Sequence, residues 1–507
     1  MASSTGTATG FNDLYDKLIA FVTTNATLVS ANQQWTKLRE WKDNVDTITN
    51  TLNVTKQLNI GRTFTYDSRI TNVDSVETAT GSGFYKTSIT MGSEVVVKLI
   101  TAKKLGSIQL QARHYTPYLG YMIKDFSVYY SNNGTSWTLL GSSTNNTGWA
   151  SGETRTITFT PPGTAQLYYK IIIDAVNSGT NTVAWETMRF YDEAGNFCNS
   201  YNNEVILKAT GLASSDEIFT GIRTSKDTTE GWYNFILNGY TGYNSAEYSF
   251  FEQPGALPSY GETQISGTPM VPCWDTSMDY WFSATGRSLK FSIKVSTIFE
   301  GGYLGFFLPA ATSGQYPYPL AVGGSLAVGS NYTSQMKYSD VSTRHATFTA
   351  PGSDSQLTTS TVGASLPNCT LYLLSPDNVW LPVTNRNDGT VNPESINQPI
   401  VGATSPYTPS GGARVTWPHS LSEPAIATSR SNFAAYSKCL GGDYLPIPIH
   451  LFQSAPVPNF LGFLEDCYYI SGFENAAENT TTIDTKSAVI FQNTYRTAIT
   501  EYWALTL

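Results

Sequence analysis

Charge is scarce in this chain. Asp, Glu, Lys and Arg make up 14% of its 507 residues, against roughly 25% in an average soluble protein. The net charge of -9 is spread without basic clusters, so the electrostatic footprint of a nucleic-acid binder is missing. No apolar run approaches the roughly 20 residues that a bilayer-crossing helix needs, and membrane insertion is not expected. The Ala- and Thr-rich start lacks the basic and apolar regions of a signal peptide, which places the chain in a cytoplasm when it is made. Cysteine is sparse too. Cys198, Cys273, Cys369, Cys439 and Cys467 are odd in number, far apart and without CxxC spacing, which excludes a disulfide framework and a zinc site and leaves buried thiols. His114, His345, His419 and His450 stand alone, none of them at i+2, i+3 or i+4 from another, so no metal site is expected. GxSxG, GxxxxGK[ST] and HExxH are all missing, and with them any sign of a nucleotide or other cofactor.

What is present is aromatic and small-polar. Aromatics reach 13%, a composition that suits strands. Between about residues 52 and 196 short strands follow one another at even spacing: SEVVVKLI, SIQLQARHY, IKDFSVYYS, SWTLL, TRTITFT and LYYKIIIDA, separated by turn formers such as Asn132-Asn133-Gly134 and Pro161-Pro162-Gly163. That spacing predicts a sandwich or jelly roll. Strands resume at EVILKAT, EIFTGIRTS and GWYNFILNGYTGY, and the chain closes on DCYYISGF, AVIFQN and EYWALTL. The expected fold is mainly β: a β-sandwich body with short N-terminal helices and an inserted jelly-roll β-sandwich. Its divisions are residues 1–51 as a helical arm of the body, 52–196 as the insert and 197–507 as the body.

The densest signal lies in residues 279–325. Leu289, Phe291, Ile293, Val295 and Thr297 alternate with Ser288, Lys290, Ser292, Lys294 and Ser296, which predicts a strand with one buried and one wet face. The unbroken apolar run YLGFFLP predicts a strand covered on both faces, and Gly301-Gly302 ahead of it predicts the hairpin turn. Pro317 and Pro319, directly after Tyr316 and Tyr318, favour extended backbone and predict a rigid aromatic ridge. Near the start, Asn12 or Asp13 can cap a helix in which Leu14, Leu18 and Phe21 recur at i, i+4 and i+7. A second helix is predicted over residues 30–43 from Trp35, Leu38 and Trp41. Leu14, Leu18, Tyr316 and Tyr318 are the candidate assembly contacts, with the small-residue tail of residues 1–10 free to reach a neighbour. The alternative is that these side chains pack on their own domain.

Three of these stretches carry a resemblance. GTATGFNDLYDKLIAFVTT at residues 6–24, the 279–325 segment, and DCYYISGFENAAENTTTIDTKSAVIFQNTYRTAITEYWAL at 466–505 resemble, in that order, a family of virion proteins encoded among the tail genes of tailed bacteriophages and prophages. The likeness covers residues 1 to about 50 and about 200 to 507. It implies a structural place on a tail or baseplate, other tail proteins and further copies of the chain as partners, and a virion location after assembly in the host cytoplasm. It implies no reaction. Within the insert, KDFSVYYSNNGTSWTLLG and YYKIIIDAVNSGTNTVAWETMRFYDEAG resemble the discoidin-like, galactose-binding-like family, which implies a jelly roll that holds host-surface polysaccharide in loops at one end. That family's usual Trp and acidic loop are not found between Tyr66 and Tyr85, so a bound calcium is not implied.

The rim candidates are Arg113, His114, Tyr115, Tyr118 and Tyr121 in RHYTPYLGY, with Trp149 in the Asn145-Asn146-Thr147-Gly148-Trp149 loop. Sugars present C–H faces that stack on rings and hydroxyls that seek planar polar partners, and this cluster supplies both. The competing assignment is that these tyrosines line a domain interface. Trp137, next to a hairpin turn, is assigned to the core. The chain as a whole reads as a non-enzymatic virion protein with a glycan-binding module. Two alternatives stand beside it: a depolymerase using paired carboxylates such as Glu465 with Asp466 or Asp275 with Asp279, and a head, collar or tail decoration that binds no glycan.

Overall fold

The computed structural model describes residues 1–52, 84–86, 89–113, 116–178, 181–200, 202–227, 231–247, 250–257, 268–326, 347–348, 370–383, 414–417, 444–453, 459–472, 477–492 and 502–507. These residues are mostly β, as expected, in several antiparallel sheets. The body is layered around a central sheet of seven strands in the order Ala2–Ala8, Met278–Ala284, Ser288–Val295, Ile298–Phe306, Leu320–Gly323, Leu371–Leu374 and Trp380–Pro382. One face of that sheet packs on the helix Phe11–Thr24 and on a second sheet ordered Met270–Cys273, Trp232–Tyr240, Ile218–Asp227, Glu204–Ala209 and Thr36–Trp41. Its other face packs on a third sheet that includes Tyr444–Gln453, Asn459–Gly472, Tyr502–Thr506 and Lys486–Gln492.

Burial on both faces corrects several expectations. Leu289, Phe291, Ile293 and Val295 point to the helix side, yet Ser288, Lys290 and Ser292 on the opposite face are buried as well, because the third sheet covers them. There is no wet face along these positions. Gly301 and Gly302 are not the turn but lie inside the strand Ile298–Phe306, and the two-residue turn is Ser296-Thr297, with Ser296 at φ 58. The glycines make room for rings: a Cβ on Gly302 would sit 2.3 Å from Phe291, and one on Gly301 would sit 3.1 Å from Trp503. The second predicted helix is replaced by the short helix Ala26–Ser30 and the strand Thr36–Trp41. Trp35 enters the core on one side of the second sheet and Leu38 packs on the cluster on the other side, an arrangement that one face of a helix cannot give.

The assembly candidates are internal. Leu14 and Leu18 have no exposed surface, because the apolar stripe of their helix lies on the core. Gly10 is the N-cap of that helix, while Asp13 accepts from the Thr9 backbone N–H (2.8 Å) and pairs with Lys17 (2.6 Å). Residues Ala2–Ala8 are an edge strand and no free tail. Tyr316 is 3% exposed, donates its hydroxyl to the Leu374 carbonyl (2.5 Å) and meets Phe307 edge-on at 5.4 Å. Tyr318 packs partly buried against the core, donates to the Tyr240 carbonyl (2.9 Å) and accepts from the Phe219 N–H (3.1 Å). Both hydroxyls satisfy backbone groups inside the body, so the two prolines stiffen an inward-folded segment and no exposed ridge forms.

Lys290 is the buried group that joins the central sheet to the third. Its Nζ lies 3.0 Å from Asp466 and 3.7 Å from Glu465, Arg287 reaches Glu465 at 2.5 Å, Ser288 donates to the same carboxylate, and Lys486 holds the other Asp466 oxygen at 2.7 Å. Both carboxylates can face one way because Leu464, Glu465, Asp466 and Cys467 stand opposite Ile449 alone in a bulge, with Asp466 at φ 57. Burial opposes ionisation of Asp466, but Lys290 and Lys486 outweigh it and hold the carboxyl down at about 2. Burial likewise works against the Glu465 charge and is overcome by Lys290 and Arg287. This pair is sealed by cations, so it cannot serve the depolymerase reading.

Among the described residues the insert has two main sheets over one core, with the short pair Phe84–Lys86 and Val183–Trp185 beside them. Val45–Asn50, Ser93–Lys103, Gln166–Val176, Ile123–Ser131 and Thr138–Ser143 form one sheet, and Thr187–Asp192, Leu105–Gln111 and Thr154–Thr158 form the other. Its first strand starts at Val45, ahead of the boundary expected at Leu52. The two chain crossings lie side by side: the Asn44 N–H donates to the Ser200 carbonyl (2.8 Å), the Asn44 side chain to the Cys198 carbonyl (2.8 Å), and the Asp43 N–H to Asn203 Oδ1 (2.9 Å). Adjacent crossings are what a domain insertion requires.

Two outcomes follow from this architecture. Asp466→Asn keeps a residue type that tolerates positive φ and removes only charge, so it is expected to cost about 3 kcal/mol at neutral pH by leaving Lys290 underpaired. In the native chain the folded carboxyl value of about 2 lies below the ordinary 3.8. Its contribution is therefore full above pH 4 and lost as pH falls toward 2, and denaturant melts across that window should show a slope that the variant lacks. Separately, replacing residues 45–199 by a short Gly-Ser link is expected to leave a soluble body with a single cooperative transition by calorimetry. Aggregation of every such link beside a well-folded parent would show the insert to be integral to the body.

Candidate functional site

Arg113 follows the strand Leu105–Gln111 and leads into the 3-10 turn Thr116–Tyr121. It is 5% exposed, and its guanidinium carbon lies 4.3 Å over the Tyr118 ring. Its carbonyl accepts the Gly152 N–H (3.3 Å), which ties this turn to the loop of residues 144–153. Tyr118 and Tyr121 are half-buried, with centroids 6.2 Å apart and planes tilted by 52°. One face of Tyr118 is thus occupied by a planar cation, which fixes the ring and polarises it. His114 and Tyr115 lie outside the described residues.

Trp149 and Trp137 exchange the places expected of them. The 144–153 loop turns back through Asn145 at φ 60 and Gly148 at φ 66, so the Trp149 indole N–H reaches the Asn146 carbonyl (2.9 Å) and the ring is 7% exposed within the insert core. Arg155 covers it at 4.1 Å, fastened by Glu153 (2.6 Å) and the Thr147 carbonyl (2.8 Å). The hydrogen bond from Arg155 holds the Glu153 carboxyl below the usual range. Trp149 is packed in the insert core under Arg155 and does not present a free face. Trp137 instead lies half-exposed on the outer face of the five-stranded sheet, with Lys170 Nζ 4.8 Å over it and 5.3 Å over Tyr129. The polar loop around Trp149 suggests exposure, and only its three left-handed residues, Asn145, Gly148 and Gly152, hint at the return.

The rim that remains is Arg113, Tyr118 and Tyr121, braced by Asn146 and Asn177. Asn146 donates to the Lys124 carbonyl (2.8 Å), and Asn177 donates to the carbonyls of Met122 (3.1 Å) and Asn146 (2.9 Å). Among the described residues no group of three or more His, Cys, Asp or Glu is placed to hold a metal ion. Cys198, Cys273 and Cys467 are buried, and burial pushes the Cys198 thiol up to about 12. What the rim offers chemically is ring stacking beside fixed carbonyl acceptors, the complement of a neutral sugar face and its hydroxyls.

The exchange of tryptophans is measurable. Trp149→Ala is expected to lower the stability of the insert by about 3 to 5 kcal/mol through the cavity it leaves, whereas Trp137→Ala should cost about 1 kcal/mol or less. Thermal melts of the two full-length variants check this, and equal losses would contradict the placement.

Residues 71–188 match the family described as F5/8 type C domain. No curated protein matches the chain. Among solved structures, the chain is similar to CBM32-1 of a family 31 glycoside hydrolase from Clostridium perfringens (17% identity, 30% of this chain and 99% of that one, TM-score 0.20). It is also similar to the family 32 carbohydrate-binding module of Streptococcus pneumoniae EndoD (14%, 30% and 100%, TM-score 0.20). A third is the CBM32-1 and CBM32-2 pair of Clostridium perfringens ZmpB in complex with GalNAc (18%, 38% and 42%, TM-score 0.23). Overlaps of this size carry no binding residue across to this chain. The insert contains an F5/8 type C, discoidin-like jelly-roll domain.

Proposed function

We propose that this chain is a non-enzymatic structural protein of a bacteriophage tail or baseplate whose inserted jelly roll holds host-surface glycan. The observation that carries the glycan part is the Arg113-backed Tyr118 beside Tyr121, a stacking platform on a jelly roll of F5/8 type C kind. A ring clamped before the ligand arrives loses little entropy on binding. The virion part rests on the three stretches that resemble tail-gene products. They meet in the body: the first supplies the helix on one face of the central sheet, the second supplies four of that sheet's strands, and the third brings Asp466 to Lys290 on the other face. Other tail proteins and further copies of the chain are the assembly partners in this reading, and the virion is its location. The few charged residues suit permanent contacts more than transient ones.

The test uses full-length protein and purified host polysaccharide. Tyr118→Ala and Tyr121→Ala are each expected to weaken binding several-fold, about 1 kcal/mol per lost stacking partner, with melting temperature unchanged. No new reducing ends should appear on prolonged incubation. Absence of binding at millimolar polysaccharide would favour a decoration role, and release of reducing ends would favour the depolymerase.

A further inference from the structure

A second concave site lies where the insert meets the body. It is a cleft of about 620 Å³, walled by the body strand Thr36–Trp41, the end of the insert strand Ser93–Lys103, Tyr191 and the returning crossing at Phe197. The volume is within the range of small-ligand sites, and junctions between domains are where such sites concentrate. Two features give it chemistry. Phe197 meets Trp41 edge-on at 5.3 Å and Tyr191 at 5.8 Å, and all three rings are half-buried, so an aromatic corner opens on the cleft. The charges lining it are matched except one. Arg39 is paired with Glu204 (2.5 Å), Lys42 with Glu40 (3.1 Å), and Asp43 with Lys226. Lys103 lines the cleft with no ion-pair partner among the described residues.

The geometry points to a second, acidic-saccharide site in this cleft, with a sugar ring against Trp41 and Phe197 and its carboxylate on the Lys103 ammonium. An aromatic corner beside one unmatched cation selects a ring that carries a negative charge over a neutral one. The cation comes from the insert and the indole from the body, so a bound ligand would also fasten the two to each other. This site is separate from the Tyr118 rim and does not depend on it.

The probe is digalacturonic acid, with neutral digalactose as control, titrated calorimetrically into the full chain. The acidic disaccharide is expected to bind more tightly than the neutral one. Lys103→Gln should lower its affinity about five- to tenfold, the loss of one charge-assisted contact, and Lys103→Arg should restore most of it. Phe197→Leu should weaken both sugars, while Tyr118→Ala should leave the acidic probe unaffected. Melting curves identify any variant that fails to fold, and the Arg and Gln replacements at half-buried Lys103 keep the charge comparison available if Phe197→Leu does. No binding of the acidic probe at millimolar concentration, affinity indifferent to Lys103→Gln, or loss on Tyr118→Ala would each overturn the proposal. None of these results decides whether the rim binds host polysaccharide.

Discussion

A lysine with no exposed surface, Lys290, sets the condition that the body must meet. An ammonium taken out of water costs several kcal/mol unless it is paired and hydrogen-bonded, so the third sheet has to deliver carboxylates to one point on the central sheet. Asp466 and Glu465 arrive there only because the bulge at residues 464–467 breaks the ordinary alternation. A sheet slipped by two residues would leave the lysine and two acids buried apart. The ion cluster therefore acts less as net stabilisation than as a lock on how the two sheets sit, while the rings of Trp503, Phe348 and Phe299 around it contribute the burial energy.

That lock explains why a body with so few charges spends several of them inside. Three cations and two carboxylates meet at this one interface, and Arg39, Arg223 and Glu204 form another buried set in the second sheet. Apolar layers alone would slide, since stacked sheets of Leu, Ile and Phe offer many near-equal packings. Placing a few charges between layers removes the wrong ones. The insert is mounted on the same logic: Asp43 with Lys226 and the Asn44 hydrogen bonds secure its two crossings by polar contacts that only one geometry satisfies.

Periodicity in the sequence was a sound guide to where strands lie and a poor guide to what covers them. The alternation gives the strand Ser288–Val295, with Ser296-Thr297 falling in the turn, but a polar residue at every second position reads as solvent-facing, and a single sequence contains no mark that a distant sheet brings Glu465 and Asp466 over Lys290. Trp35, Leu38 and Trp41 fit a helical period by coincidence of a bulged strand between residues 37 and 39, and the open edge of Glu204–Ala209 overrides it. Gly301-Gly302 has the look of a turn, yet glycine is equally required where a ring from the next strand needs the space of a side chain. Tyr316 and Tyr318 show the same limit. Prolines report backbone stiffness, and only tertiary contacts report direction.

At the rim the legible and illegible parts separate along one line, the difference between a ring and its support. The cluster Arg113, Tyr118 and Tyr121 is close in sequence, so its composition exposes it. What holds it comes from elsewhere in the chain: the Gly152 N–H reaches the Arg113 carbonyl and Asn177 reaches the Met122 carbonyl beside Tyr121, through backbone groups that carry no sequence signature. A stacking site needs both. Guanidinium groups cover Tyr118 in the rim and Trp149 in the insert core, so each ring is held by a planar cation. The ion cluster in the body is built otherwise and weakens as the medium approaches the low value of Asp466. In strong acid the contacts that fail are carboxylates: Asp466 and Glu465 between the sheets of the body, and Glu153, which fastens Arg155 over Trp149 in the insert.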